Sequence, residues 1–374
     1  MAKTLIKWPG GKTGELQQIL PLIPEYDRYI EPFFGGGAVY FALEPKNAVI
    51  NDISRSLMEF YVMVKAQDEQ LRRLLECYQD SFSGIQMVGE LAYQELYEVY
   101  RVYMKEQCSE DELARAVSDM VDSRFKQMMD CFEYPLVLSA EHFKAQLVKN
   151  VSDKLLRTAR QEKKRGTISD SDRIDNFITG FSSGYYMYFR DVYNDICLNR
   201  GPLTGTAYAV ANFYFVREYC YGSMFRYNRH GEFNIPYGGI SYNRKNMQTK
   251  IDNIFNEDIR KLFSGTDIYS QDFENFMKNV PMTERDFMFL DPPYDTDFSD
   301  YEGRDFAKRD HERLALVLTE TKAHFLMVIK NTEFIYRLYK DRFNIRTFEN
   351  RYSYNVKSRN DREAEHLIVT NIDI

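Results

Sequence analysis

Cysteine is scarce and unpatterned: Cys77, Cys108, Cys131, Cys197 and Cys220 are the five in 374 residues, with no C-x-x-C pair among them. An odd count at wide spacing excludes a disulfide framework and a zinc knuckle, and it suits a reducing cytoplasm. Histidine is equally thin. His142, His230, His311, His324 and His366 form no H-x-x-x-H or H-x-E cluster, so no metal is expected. No apolar run approaches the ~20 residues that cross a bilayer, and no basic stretch followed by an apolar one opens the chain, so a soluble, unsecreted protein is expected. Positive charge is lacking overall, with a formal net charge of -7. That argues against a purely electrostatic nucleic-acid binder and leaves local patches to decide. What the chain does have is 44% apolar residues and 15% aromatics, enough for one large core or two smaller ones.

Reading forward, "EYDRYIEPF" is a short, partly apolar run, and "GGGAVYFAL" leads from small residues into a helical pattern. "NAVINDIS" is an apolar strand closed by Asn51 and Asp52, and "SRSLMEFYVMVKA" is the next amphipathic helix. This β-α-β-α unit predicts a parallel, doubly wound sheet whose ligands lie beyond the carboxyl ends of the strands. Gly35, Gly36 and Gly37 then supply positive φ angles and room for a ligand, and Asp52 ends the second strand where an acidic residue accepts hydrogen bonds from a ribose. Taken alone, the glycines are equally a tight turn. The dinucleotide spacing G-x-G-x-x-G is incomplete because position 40 is Tyr40, which favours an adenosyl ligand over a dinucleotide.

From Phe60 to about Asp195 helical periodicity and charge dominate, which predicts a mainly helical insertion over 61–195, with "RQEKKRGTISDSDRID" as a solvated surface loop. Over 196–250 the balance turns basic: seven Lys and Arg face only Glu218 and Glu232, and aromatic residues interleave with them. "FYFVREYCYGSMFRYNRHGEFNIPYGG" has the composition of a hairpin that grips a phosphate backbone and reaches a base edge with a guanidinium, and equally that of a tyrosine-rich hairpin with solvated arginines.

The strand "FMFL" stops at Asp291-Pro292-Pro293-Tyr294, where two prolines forbid a continuing ladder. A carboxylate at such a rigid corner suits one chemistry. An exocyclic amine on an aromatic ring is a weak nucleophile because its lone pair is delocalised. Acceptance of its two N–H bonds by Asp291 and the Pro292 carbonyl favours a pyramidal nitrogen with a freer lone pair, and Tyr294 stacks on the ring to hold it in line. The bland alternative is an Asp-Pro-Pro turn. "PGGK" ends like a phosphate-binding loop, but that pattern needs a glycine at position 6, which is Ile6.

In order, "KWPGGK", "EPFFGGG", "NDIS", "RYNRHGEFNIPYG" and "DPPY" make the chain resemble the Dam-type (alpha-type) DNA adenine-N6 methyltransferases over roughly residues 3–60 and 200–298, and "SRNDREAEHLIVTN" resembles that family's terminal segment. The resemblance implies a Rossmann-like methyltransferase sheet in two parts, 1–60 and 251–374, interrupted by the helical insertion and by a target-recognition segment over 196–250. It implies S-adenosylmethionine as cofactor, with Trp8, Lys12, Glu31, Phe33, Gly35, Gly37, Asp52 and Asp291 around it, and Asp291, Pro292, Pro293 and Tyr294 as the catalytic corner. Double-stranded DNA is the implied substrate, with the adenine flipped out of the stack. Tyr221, Arg226, Asn228, Pro236 and Lys245 are then on the DNA, Arg226 reading a guanine and Lys245 at the phosphates, with GATC as the first target to consider. A bacterial or phage-infected cell is the implied setting, and a cognate restriction endonuclease is compatible with it. The rival readings are a methyltransferase acting on RNA or on a protein amide, since this corner serves any planar amine, and a DNA-binding module without catalysis.

Overall fold

The structure is a computed structural model that describes residues 2–294, 300–301, 304–351 and 363–373. The chain divides into two compact units, one built from residues 1–67 and 255–374, the other from residues 68–254.

The first unit carries a seven-stranded sheet. β1 (Arg28–Glu31), β2 (Ala48–Asn51), β3 (Thr266–Tyr269), β4 (Asp286–Leu290) and β7 (His324–Lys330) run parallel, β8 (Asn344–Arg351) and β9 (Glu363–Thr370) close one edge antiparallel, and the order is β3-β2-β1-β4-β7-β9-β8. A two-stranded hairpin, β5 (Asp300–Tyr301) and β6 (Arg304–Asp305), stands apart. The central strands are near-continuous apolar runs because both faces are covered: every residue of β2 and β4 is buried. Ile30 lies level with Val49 on one side and Met288 on the other. β2 and β3 lie to one side of β1 and β4 and β7 to the other, so the chain reverses its winding between β1 and β4. That is the switch point at which doubly wound sheets open a crevice. The expected sheet is present, and "EAEHLIVT" of the terminal segment is β9, while Ser358 to Arg362 lie outside the described residues.

Helices α1 (Leu16–Ile19), α2 (Ala38–Leu43) and α3 (Arg55–Ala66) belong to this unit, as do α11 (Glu257–Ser264), α12 (Phe273–Asn279), α13 (Lys308–Glu320) and α14 (Glu333–Tyr339). α2 starts at Gly37 and α3 comes just after Asp52, so two helices leave the sheet from the ends of β1 and β2.

The second unit is helical: α4 (Glu69–Leu91), α5 (Tyr93–Met104), α6 (Glu110–Met129), α7 (Ala140–Arg165), α8 (Asp170–Cys197), α9 (Ala207–Tyr219) and α10 (Gln248–Ile254). Its centre is aromatic, with Tyr78, Phe82, Tyr185, Phe189, Phe215 and Tyr219 in mutual ring contact. α7 and α8 approach through Gly180 and Gly184, where a Cβ would come within 2.8 Å of the Val151 and Leu147 Cα atoms. The polar run expected as a surface loop is instead the end of α7, a link at 166–169 and the start of α8. Its charges project from helices, its lysines and arginine stand in the last turn of α7 where the dipole favours them, and a buried ion pair between Arg173 and Glu162 (3.0 Å) spans the link. Among the described residues no helix is long and apolar enough to cross a membrane.

Candidate active site

Four of the five parallel strands, β1 to β4, deliver a polar side chain to the crevice. β1 ends in Glu31, β2 in Asn51 followed by Asp52, β3 is followed by Gln271 and Asp272, and β4 by Asp291. Asn51, fully buried, ties three of these ends together. Its amide donates to the carbonyls of Pro32 and Gln271 (3.0 Å each), and its oxygen accepts from the Gln271 N–H at 2.9 Å. The result is a cavity of about 400 Å³, a usual size for a small-molecule site, lying wholly within the first unit.

Trp8, Lys12, Glu31, Phe33, Gly35, Gly37, Asp52, Asp291, Pro292, Pro293 and Tyr294 all line this cavity. The glycines serve two ends. Gly35 and Gly37 have φ of +50° and +65°, which only glycine adopts without strain, and their bare faces are met by the protein's own rings: a Cβ on Gly35 would lie 2.7 Å from the Trp8 indole, and one on Gly37 2.5 Å from Phe34. The turn also aims the Gly35 N–H at Asp52, whose two oxygens accept from Gly35 (2.8 Å) and from the Ser54 N–H (2.9 Å). Burial nevertheless pushes the Asp52 carboxyl up to about 6.

Lys12, 3% exposed, is the hub of the opposite wall. Its ammonium pairs with Asp291 at 2.6 Å and donates to the Gly10 carbonyl and the Tyr294 hydroxyl at 3.0 Å each, which uses all three of its protons. Burial raises the Asp291 carboxyl above the usual carboxylate range against the pull of Lys12. Behind Tyr294 stands the buried His366 ring, 5.7 Å away edge-on, itself 3.3 Å from Glu15. Glu31 accepts from the Tyr29 hydroxyl at 2.8 Å, and burial raises its carboxyl well above the ordinary range.

Of one wall, sequence reasoning named only Phe33. Phe33 meets Phe273 at 5.4 Å and Phe306 at 5.8 Å, and Asp272 and Asp310 stand beside them. One guanidinium, Arg313, holds both acids (2.7 Å each) and Glu274 (2.6 Å) while lying 4.8 Å from the Phe273 ring. The available signal was "SQDFENF", a polar-acidic-aromatic step directly after the third strand. The cavity is therefore lined by acids (Glu31, Asp52, Asp272, Asp291, Asp310), with Lys12 the basic side chain among the described residues. An aromatic wall together with an acidic lining suits a ligand that carries an apolar ring and positive charge.

Tyr221, Arg226, Asn228, Pro236 and Lys245 do not line the cavity; they lie in the second unit. The stretch "FYFVREY" is the buried helix α9, and the loop begins only after Tyr219, closed by isolated bridges Cys220 to Tyr237 and Tyr227 to Phe233. Tyr221, Arg226 and Pro236 are exposed on it, and the Arg226 Nε donates to Asn234 at 2.8 Å. Asn228 builds the turn, its oxygen accepting from the His230 (2.9 Å) and Glu232 (3.1 Å) N–H groups. Lys245, expected at phosphates, is engaged inside: it pairs with buried Glu218 at 2.9 Å and donates to the Glu218 carbonyl.

A sequence profile of the D12 class N6 adenine-specific DNA methyltransferases matches residues 8–164 and 145–354. The chain is 34% identical over 164 residues to Type II methyltransferase M.CviBI of Paramecium bursaria Chlorella virus NC1A, a match covering 43% of this chain and 60% of that protein. It is 25% identical over 378 residues to Type II methyltransferase M1.LlaDCHI of Lactococcus lactis subsp. cremoris, covering 98% and 94%. It is 22% identical over 327 residues to the DNA N-6-adenine-methyltransferase of Escherichia phage P1, covering 85% of this chain and 28% of that protein. With the doubly wound sheet and the Asp-Pro-Pro-Tyr corner opening into its crevice, the profile match leaves one assignment: the chain belongs to the D12 class of N6 adenine-specific DNA methyltransferases.

Proposed function

We propose that this chain methylates the N6 amine of an adenine at a specific site in duplex DNA, with S-adenosylmethionine as the methyl donor. The observation that carries the reading is the single ammonium of Lys12 holding both Asp291 and the Tyr294 hydroxyl at the rim of the cavity. Acceptor and stacking ring are thereby fixed before any substrate arrives.

The cavity fits the cofactor on its own chemistry. Asp52 offers acceptors for ribose hydroxyls, Phe33, Phe273 and Phe306 offer an apolar wall for the adenine ring, and buried Glu31 is a carboxylate in want of a cation such as the cofactor's amino group. Trp8 closes the turn beneath. When bound, the cofactor supplies an electrophilic methyl group. The residues of the chain do the rest: Asp291 and the Pro292 carbonyl accept the two N–H bonds of the target amine, and Lys12 keeps Asp291 oriented although burial opposes its charge. An amine paired and stacked inside a duplex is out of reach, so the adenine is extruded onto Tyr294.

Sequence reading falls to the exposed Arg226, Tyr221 and Pro236, with Arg226 the fork that matches guanine O6 and N7. GATC is the first target to test. Because two of the relatives are named Type II methyltransferases, a cognate restriction endonuclease is the proposed partner in the cell. Transfer of labelled methyl groups to duplex DNA, to RNA and to protein decides the substrate: label in duplex DNA, recovered as N6-methyladenine, is the expected result. Label confined to RNA or protein would overturn the reading.

A further inference from the structure

We infer that Arg217 is a specificity-positioning residue: its buried guanidinium fixes the loop that presents Tyr221 and Arg226, so that site discrimination depends on a side chain that never meets DNA. This rests on the proposed role of Arg226 as the reader of a guanine.

Arg217 stands in the last turn of α9 and is only 1% exposed. Its Nη1 and Nη2 donate to the carbonyls of Met224 and Ser223 at 2.9 Å each, and its guanidinium carbon lies over the Phe225 ring, 3.7 Å from its centre. The loop is shaped to make those bonds. Gly222 and Ser223 are both left-handed, with φ of +61° and +53°, a run that costs energy at Ser223 and persists only where the surroundings over-determine it. The guanidinium receives the two carbonyls at the end of this run. Phe225, stacked on Arg217, immediately precedes Arg226 in the chain.

The next two residues of the same turn hold the other arm of the segment. Glu218, fully buried, pairs with Lys245 (2.9 Å) and Lys250 (2.6 Å). Tyr219 accepts the Gly238 N–H at its carbonyl and donates its hydroxyl to the Lys245 carbonyl (3.0 Å each). One helix end thus anchors both sides of the loop. A lysine cannot replace Arg217, since a single ammonium does not lie flat on a ring while forking to two carbonyls.

The test measures methylation rates of the full-length enzyme on its preferred duplex and on every single-base variant, for wild type, Arg226→Ala, Arg217→Lys and Phe225→Leu. Arg226→Ala identifies the base pair it reads. The inference expects Arg217→Lys to lose about tenfold discrimination at that same pair, to keep discrimination elsewhere, and to leave the KM for cofactor unchanged. Phe225→Leu keeps both carbonyl bonds and loses the ring, so it should show the same pattern more weakly; it carries the test if Arg217→Lys fails to fold. Full discrimination in both variants, or an equal loss of rate on every duplex, overturns the inference while leaving Arg226 as reader. Unchanged preference in Arg226→Ala overturns its role as reader, and the inference falls with it.

Discussion

Charges that line the cavity of the α/β unit and charges in the basic segment of the helical unit are used in opposite ways. Around the cavity, Glu31, Asp52, Asp272, Asp291 and Asp310 are held by neighbours and still face the space where a ligand lies. In the basic segment, Arg217, Lys245 and Lys250 spend their charge on Glu218 and on backbone carbonyls inside the protein, and Arg200, Arg226, Arg229 and Arg244 face outward. A count of seven basic residues against two acidic ones therefore overstated the charge that reaches the surface of this segment. The carboxylates at the strand ends kept their meaning because backbone geometry aims them, whereas the direction of a lysine in a loop depends on which buried acid lies within reach.

This contrast breaks most sharply at Asp291. Asp291→Ala removes the acceptor of the target amine and should lower the methylation rate by about 10²–10³-fold or more, as loss of a positioned polar group does elsewhere. DNA affinity, measured by fluorescence anisotropy on the same duplex, should change little; near-normal turnover would refute the role. Tyr294→Ala removes the stacking platform, worth about 1–3 kcal/mol per base in single-strand binders. A fluorescent adenine analogue at the target position should be less extruded in that variant than in wild type.

Lys245→Ala sharpens the comparison from the other side. If its work is internal, the variant leaves Glu218 with one cation fewer and loses about 1–3 kcal/mol of stability in denaturant unfolding, while the salt dependence of DNA binding stays as it was. A protein of wild-type stability whose salt slope falls by about one would return Lys245 to the phosphates. The smallest effect belongs to Asp52. Its carboxyl is raised to about 6, so the free protein takes up a proton as pH falls below that value, and acceptance from ribose hydroxyls needs the ionised form. Cofactor affinity should then hold above pH 6 and weaken by up to about tenfold per pH unit below it. Asp52→Asn should remove the part of that dependence centred near pH 6 and leave what Glu31 and Asp291 contribute, which calorimetry across pH 5 to 8 reads directly.

The fold and most of the cavity were legible because their signals are steric. Three glycines at positive or crowded positions, two prolines ending β4, and apolar runs of four or five residues leave few alternatives for the backbone, and they placed Glu31, Asp52 and Asp291 at strand ends. Beyond Phe33 the aromatic wall was not legible, since Phe273 and Phe306 meet it only after distant segments pack. The link between α7 and α8 was misread because charge on a helix face and charge in a loop look alike until Glu162 and Arg173 are seen to pair. The pairing of Lys245 was hidden for the same reason: its partner Glu218 is 27 residues away.

The most direct test of the account is base-resolved detection of modified DNA from a methylation-free host expressing either the wild-type protein or Asp291→Ala. The account predicts N6-methyladenine at one short sequence motif with the wild type and none with Asp291→Ala. Absence of N6-methyladenine from DNA with the wild type, or equal methylation with both proteins, would contradict it.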